Sequence, residues 1–136
     1  VLDQLVEVAM QARENAYAPY SGYPVGAAVL CASSNIYGGY NREEVTLTGT
    51  MHAEVMTIIL AYLGGEMKTS GRGFIKALAV VHRANSGPCG ICRQIIREFT
   101  PDALIINANP KGQILGISCL SELLPEPFSP NHLRIK

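Results

Sequence analysis

The sequence lacks net charge, tryptophan and any run of Lys or Arg: eleven basic side chains balance eleven acidic ones. A protein that follows a nucleic-acid strand neutralises many phosphates, so this balance argues against a nucleic-acid partner and favours a small, weakly charged ligand. No apolar run approaches membrane-spanning length, so no membrane partner is expected. The first sixteen residues have neither a basic start nor a small-residue cleavage site. We therefore expect no secretory signal and a cytoplasmic protein.

Cysteine is also scarce, with four residues in the chain. Cys89 and Cys92 form a C-x-x-C pair, which in a chain without a secretory signal favours metal binding over a disulfide. Cys31 and Cys119 lack this spacing and are expected to be small, buried apolar side chains. With 136 residues and 48% hydrophobic content, the chain is long enough for one well-formed core and too short for two ordinary domains. Residues 1–136 are therefore expected to form a single domain.

Hydrophobic periodicity predicts an alternation of helices and strands. Helices are predicted at 2–15, 52–63, 89–99 and 118–124, and strands at 25–31, 36–40, 74–82, 103–108 and 114–117. Such alternation is typical of an α/β protein with parallel strand pairs and helices on both faces of the sheet, a three-layer α/β/α sandwich. The proline-rich tail from Pro125 onward is expected to be an ordered extended arm or a frayed end.

Two short motifs carry the chemistry: His52-Ala53-Glu54, and Pro88 followed by Cys89-Gly90-Ile91-Cys92. They supply an imidazole, two thiolates and a carboxylate two residues from the imidazole. Both begin at predicted helix starts, where free N–H groups and the helix dipole favour thiolates. Three protein ligands leave a fourth position for water, whose pKa zinc lowers from about 15.7 toward about 7. The Glu54 carboxylate is then placed to carry the proton.

Simpler interpretations exist for each part of this pattern. A lone C-x-x-C also fits a structural zinc knuckle or a chance pairing, and Glu54 alone fits an exposed helix residue. A structural site needs a fourth ligand, however, and neither His82 nor His132 has ligand spacing to the cysteines. We interpret His82 as a polar strand terminus and His132 as a solvated tail residue. The combination of motifs therefore favours a catalytic zinc site.

The order H-x-E followed by P-C-x-x-C is a known signature of zinc nucleobase deaminases. Nearly end to end, the chain resembles the cytidine deaminase family. The matching segments are Tyr17-Ala18-Pro19-Tyr20-Ser21, Tyr23-Pro24-Val25-Gly26-Ala27-Ala28, Asn41-Arg42-Glu43, His52-Ala53-Glu54, Pro88-Cys89-Gly90-Ile91-Cys92-Arg93-Gln94, and Leu123-Leu124-Pro125 with Phe128, Pro130 and Leu133. The resemblance implies a mixed five-stranded sheet and hydrolytic deamination of cytidine and deoxycytidine in pyrimidine salvage. It also implies a homo-oligomer, with a tetramer favoured and a dimer possible.

The resemblance also implies roles for the metal and proton-transfer residues. His52, Cys89 and Cys92 would hold Zn²⁺, and Glu54 would shuttle protons between water, the ring N3 and the departing amine. Arg93 would donate hydrogen bonds to the zinc thiolates.

The remaining implied roles concern the nucleoside. Asn41 and Glu43 would bind the ribose hydroxyls, although the residues alone also fit a turn-forming Asn beside a solvated Glu. Tyr23 would lie against the nucleoside, or else be an ordinary loop or core aromatic. The N–H groups of Ala53 and Cys89 would hold the pyrimidine O2, and the Gly87 carbonyl would receive the amino group. Phe128 would reach a neighbouring subunit's base, or else anchor the tail of its own chain.

The chain departs from the family pattern at several positions. Short members usually have cysteine at the position of His52 and arginine at that of Val55. Three thiolates give the zinc site a net charge of minus one, which the arginine can offset. Two thiolates and a neutral imidazole balance the metal charge, so the arginine is no longer required. Leu47 replaces a usual tyrosine, which makes another aminated nucleoside, such as an aminonucleoside antibiotic, the alternative substrate.

A non-catalytic zinc-stabilised binding module and base editing within RNA or DNA are further alternatives. Glu54 argues against the binding module, and the charge balance argues against editing.

Overall fold

The computed structural model describes residues 1–133, and residues 134–136 of the predicted tail lie outside this range. Its helices are α1 (Leu2–Arg13), α2 (Ala53–Leu63), α3 (Glu66–Ser70), α4 (Gly90–Glu98) and α5 (Leu120–Leu123). Its strands are β1 (Gly26–Cys31), β2 (Ile36–Tyr40), β3 (Ile75–Val81), β4 (Leu104–Ala108) and β5 (Ile114–Cys119). Single 3₁₀ turns cover Gly71–Gly73 and Pro130–Leu133. No helix within residues 1–133 is both long enough and apolar enough to cross a bilayer.

The five strands form one mixed sheet in the order β2-β1-β3-β4-β5. Strand β1 pairs antiparallel with both β2 and β3, and β4 pairs antiparallel with β5. Among the strands of residues 1–133, only β3 and β4 run parallel to each other. The mixed five-stranded sheet implied by the resemblance is confirmed. The expectation of more than one parallel pair is wrong, because in the described residues α4 provides the one helical crossover between adjacent strands and tight turns connect the hairpin strands.

Helices cover both faces of the sheet, which confirms the predicted α/β/α layering. On one face, α1 packs Leu5, Val6 and Ala9 against the sheet in a core that includes Ala28 and Ala79. The neighbouring strand positions point the other way, since side chains alternate along a strand. On the opposite face of the sheet, residues of α2 and α4 pack against these positions in a second hydrophobic cluster. Its members include Val29, Ile58, Leu78, Ile96 and Ile105.

Helix α2 lies directly on strand β2 because the strand presents a glycine to it. A Cβ atom at Gly39 would fall 2.7 Å from the Thr57 backbone nitrogen and 3.1 Å from the Ala53 carbonyl oxygen. The Thr57 hydroxyl donates a 2.6 Å hydrogen bond to the Tyr37 carbonyl. These contacts fix the first turns of α2, and with them the residue that precedes the helix, His52.

The C-terminal region differs in detail from the prediction. Strand β5 extends to Cys119, so the last helix begins at Leu120 and not at 118. Cys119 is half-buried and caps α5 together with Glu122, so its interpretation as a buried apolar side chain is wrong, whereas Cys31 is buried as expected. The Gln94 side-chain amide donates a 2.7 Å hydrogen bond to the Phe128 carbonyl, which attaches the tail to α4.

Candidate active site

The three predicted metal ligands converge where two helices begin. His52 is the residue before the first turn of α2, Cys89 holds the same position before α4, and Cys92 lies in the first turn of α4. The His52 Nδ1 atom is 3.4 Å from the Cys89 Sγ and 3.3 Å from the Cys92 Sγ. All three ligand atoms lie within 4.8 Å of one another.

This donor set fits a zinc ion. Two ligands at ordinary Zn–N and Zn–S lengths in a tetrahedral site are about 3.5 Å apart, close to the separations from His52 Nδ1. Burial and the nearby charges of Glu54 and Cys89 raise the pKa of the Cys92 thiol. A divalent cation opposes this effect and stabilises the thiolate. Within residues 1–133 no fourth His, Cys, Asp or Glu joins the cluster, as a catalytic rather than a structural site requires.

Glu54 lies beside this cluster with only 5% of its surface exposed. It occupies the first turn of α2, two residues after His52, and its charge contributes to the raised pKa of the Cys92 thiol. Burial raises the pKa of the Glu54 carboxyl, since removal from water disfavours its charged form. The interpretation of Glu54 as an exposed helix residue is therefore wrong, and its carboxyl group is placed within the site.

A cavity of about 360 Å³ opens onto these groups. This volume is within the range of small-molecule sites, which is roughly 300–1,000 Å³. The predicted site residues that line the cavity are Tyr23, Asn41, Glu43, His52, Ala53, Glu54, Gly87 and Cys89. The structure thus brings together the predicted ligands of the nucleoside, apart from Phe128, around the proposed metal and Glu54.

Asn41 and Glu43 are both buried, so the interpretation of a solvated Glu43 is wrong. The Asn41 side chain bridges the preceding loop by accepting from the Val25 N–H and donating to the Tyr23 carbonyl, each at 2.9 Å. The Glu43 carboxylate accepts from the N–H and hydroxyl groups of Ser21. The Ser21 hydroxyl bond is the main reason that the pKa of Glu43 is lowered. Both side chains therefore brace the loop that carries Tyr23.

Two predicted residues have other neighbours in this chain. Phe128 is 59% exposed, does not line its own chain's cavity, and stacks on His132 with ring centroids 5.5 Å apart. The Arg93 guanidinium donates to the Pro88 carbonyl at 2.7 Å and the Leu123 carbonyl at 2.9 Å. Within residues 1–133 it makes no hydrogen bond to either thiol, so the expected bonds to the zinc thiolates stay a prediction.

The sequence interpretation missed the place of His82 in the cavity. It lies one residue beyond β3, which ends at Val81 and not at His82 as predicted, and it is only 5% exposed and lines the cavity. Its ring nitrogens lie 2.8 Å from the Tyr23 hydroxyl and 2.8 Å from the Ser86 carbonyl oxygen. One signal could have indicated this: His82 directly follows a buried strand, and crevices in α/β sheets form beyond the carboxyl ends of such strands.

Within residues 1–133, the site combines a buried carboxyl group with one imidazole and two thiols and has no fourth protein ligand. This combination is typical of a zinc-dependent deaminase. Residues 1–108 match the family model described as "Cytidine and deoxycytidylate deaminase zinc-binding region". The chain belongs to the cytidine and deoxycytidylate deaminase family. This confirms the resemblance seen in the motifs.

Individual relatives agree with the family match. The cytidine deaminase of Halalkalibacterium halodurans is 38% identical over 128 residues, which cover 92% of each chain. That of Sporosarcina psychrophila is 38% identical over 135 residues, covering 97% of this chain and 94% of the relative. The crystal structure of the Burkholderia pseudomallei cytidine deaminase superposes with a TM-score of 0.84 at 32% identity, covering 94% of this chain and 99% of the other.

Proposed function

We propose that this protein hydrolyses cytidine and deoxycytidine to uridine and deoxyuridine with release of ammonia. The observation that carries the proposal is the convergence of His52, Cys89 and Cys92 beside the buried Glu54 in a cavity of nucleoside size. The similarity to proteins named cytidine deaminase, at 38% identity over more than nine-tenths of the chain, supports the same substrate. The reaction would serve pyrimidine salvage.

The proposed chemistry depends on zinc and one protein carboxylate. Zinc held by His52, Cys89 and Cys92 would supply a water of lowered pKa together with a positive charge that stabilises the reacting centre. Glu54 would carry the two protons of this water in turn, the first to the ring N3 as the water oxygen bonds to C4, and the second to the amine as the C4–N bond breaks. Its position in the first turn of α2, on the wall of the cavity, would keep the carboxyl group next to the reacting atoms.

The remaining cavity residues would hold and orient the nucleoside. The backbone N–H groups of Ala53 and Cys89 lie at helix starts, where such groups lack intrahelical partners, and would bind the pyrimidine O2. The Gly87 carbonyl would accept from the amino group. Asn41 and Glu43 would bind the sugar hydroxyls.

We further propose a cytoplasmic homo-oligomer, with a tetramer favoured and a dimer possible. Apolar side chains on α2 support association, since Ile59, Leu60, Tyr62 and Leu63 are each at least 40% exposed. In such an assembly the exposed Phe128 would reach the base bound by a neighbouring subunit. Nucleic acid is not a proposed partner, because the chain has no net charge.

One observation favours a second substrate within the same chemistry. Leu47, in the loop between the Asn41–Glu43 segment and His52, is 57% exposed and adopts a left-handed backbone conformation with φ of 65°. This loop joins two residues that line the cavity, Glu43 and His52, so a changed residue within it can alter which aminated nucleoside fits. The alternative is therefore a zinc deaminase of another nucleoside, such as an aminonucleoside antibiotic.

A nucleoside panel with metal analysis tests both candidates. Purified protein is expected to contain about one zinc per chain and to decrease the ultraviolet absorbance of cytidine and deoxycytidine. Chelation should abolish turnover, and added zinc should restore it. Turnover of another aminated nucleoside without turnover of cytidine would establish the alternative. Bound zinc with no turnover of any nucleoside would instead indicate a non-catalytic binding module.

A further inference from the structure

His82 connects two walls of the cavity that come from different parts of the chain. One ring nitrogen, Nδ1, is 2.8 Å from the hydroxyl of Tyr23, which belongs to the loop before β1. The other, Nε2, is 2.8 Å from the carbonyl oxygen of Ser86, next to Gly87 in the loop before α4. All four residues line the cavity.

The neighbours of His82 define which ring nitrogen carries the proton. The Ala84 N–H, which can only donate, points at Nδ1 from 3.2 Å, so Nδ1 must accept. The Ser86 carbonyl can only accept, so Nε2 must donate. Both contacts therefore indicate a neutral ring protonated on Nε2. It follows that the Tyr23 hydroxyl donates its proton to Nδ1.

We propose that His82 is a positioning residue for nucleoside binding, which fixes the hydroxyl of Tyr23 and the peptide that precedes Gly87. Because the Tyr23 proton is held by His82, the phenolic oxygen offers only acceptor sites to a bound molecule. The group that it recognises is therefore a hydrogen-bond donor, such as a sugar hydroxyl. The bond from Nε2 to Ser86 orients the loop that supplies the Gly87 carbonyl.

The aromatic ring of Tyr23 is also fixed from its other side. The Arg83 guanidinium lies 4.5 Å from the ring centroid, and its Nη1 is 3.4 Å from the Gly22 carbonyl oxygen. A cation over the ring face restrains the ring plane, whereas His82 restrains the hydroxyl. Tyr23 is thus held at two points, and only the His82 contact determines its hydrogen-bonding character.

Steady-state kinetics with variants of the whole protein tests this inference, which rests on the proposed function through its assay. His82→Leu introduces an apolar side chain of similar size that can form neither hydrogen bond. It should raise the KM for cytidine about tenfold. The value of kcat should stay within about twofold, because the lost contacts hold the substrate equally in the ground and transition states. His82→Gln, which keeps one acceptor and one donor, should recover part of the loss.

Two further variants separate positioning from general loosening of the loop. Tyr23→Phe should also raise KM, and combining it with His82→Leu should give less than the product of the two effects, because both remove the same bond. Asn85→Ala is the matched control, since it removes the 2.9 Å bond from Asn107 to the same loop without touching His82. Its KM should stay near that of the unaltered protein. An equal rise in Asn85→Ala, or an unchanged KM in His82→Leu, would overturn the inference.

A spectroscopic measurement tests the proton position without turnover. In ¹⁵N-histidine-labelled protein with zinc bound, long-range nitrogen–proton correlations distinguish the two neutral forms of each of the three histidine rings. We expect His82, assigned through correlations of its ring with its own backbone amide in the unaltered protein, to carry its proton on Nε2. A proton on Nδ1 would overturn the inference even if every variant failed to fold. Absence of cytidine turnover in the unaltered protein, with the Nε2–H form present, would count against the proposed function alone.

Discussion

His52 and Cys89 are 37 residues apart in sequence, yet the imidazole Nδ1 of one lies 3.4 Å from the thiol sulfur of the other. Each is the residue that precedes the first turn of its helix. The positive ends of two helix dipoles therefore meet at one point, where they favour thiolates and other anions. The glycine contact between β2 and α2 and the crossover through α4 determine where these two helix starts lie.

The first prediction concerns proton transfer. Glu54→Gln should retain about one zinc per chain and lose cytidine turnover by about a thousandfold, since the amide fills the same space but carries no transferable proton. Glu98→Gln is the matched control, because Glu98 lies at the far end of α4 with a half-exposed side chain. Its turnover should be unchanged. Comparable activity in the two variants would show that Glu54 does not carry the proton.

The second prediction concerns the metal ligands. Cys92→Ala should reduce bound zinc from about one per chain to near zero and abolish turnover, because Cys92 supplies one of three ligands. A chelator should lower the melting temperature of the unaltered protein but not of this variant, since only a bound ion stabilises the fold by mass action. Cys119→Ala, which changes a cysteine outside the cluster, should keep its zinc. Full zinc content in Cys92→Ala would contradict the proposed ligand set.

Local sequence patterns were sufficient for most of the fold and for the metal cluster. The helix starts at His52 and Cys89 could be predicted because apolar periodicity and flanking residues mark helix ends. That the side chains of His52 and Cys89 meet at one metal site was predicted from their chemistry as zinc ligands, not from a predicted geometry of the fold. By contrast, strand direction depends on how distant segments pair, so the single parallel pair was not predictable from local patterns.

The place of His82 in the site was also beyond local patterns. Its neighbours Tyr23 and Ser86 come from separate loops, and the contacts among them exist only once β3 lies in the sheet. The burial of Glu43 was missed for the same reason, because its partner Ser21 belongs to a loop that precedes β1. Polar residues that join different loops leave no periodic signal in the sequence.

The third prediction concerns the packing of α2 on β2. Gly39→Ala should lower the melting temperature and destabilise the protein by about 1–3 kcal/mol, since the added methyl group would overlap the Thr57 backbone. Displacement of α2 should also weaken zinc binding through His52. Gly116→Ala in β5 is the matched control, because nothing lies within 4 Å of the position of its Cβ. Equal melting temperatures for the two variants, measured by circular dichroism, would contradict the close helix–strand packing.

The last prediction concerns Glu66, a buried carboxylate outside the active site with 3% of its surface exposed. It accepts hydrogen bonds from the side chains of Ser33, Asn35 and Tyr37, and so attaches α3 to the β1–β2 hairpin. These bonds, with that of Ser33 the largest contribution, lower the pKa of Glu66. The nearby Cys31 thiol stays protonated and uncharged at neutral pH, because burial and the Glu66 carboxylate raise its pKa to about 12.

A carboxyl group whose pKa is lower in the folded than in the unfolded state stabilises the fold. For Glu the unfolded pKa is about 4.3, and the stabilisation is complete above it. The stabilisation is lost as the pH falls through the folded pKa. Glu66→Gln should therefore melt at a lower temperature than the unaltered protein at pH 7, and the difference should shrink as the pH is lowered from about 5 toward 3. Glu7→Gln, on the exposed side of α1, is the control and should follow the unaltered protein throughout. Melting curves at each pH provide the measurement. A constant difference across the whole range would mean that Glu66 acts through packing and not through its charge.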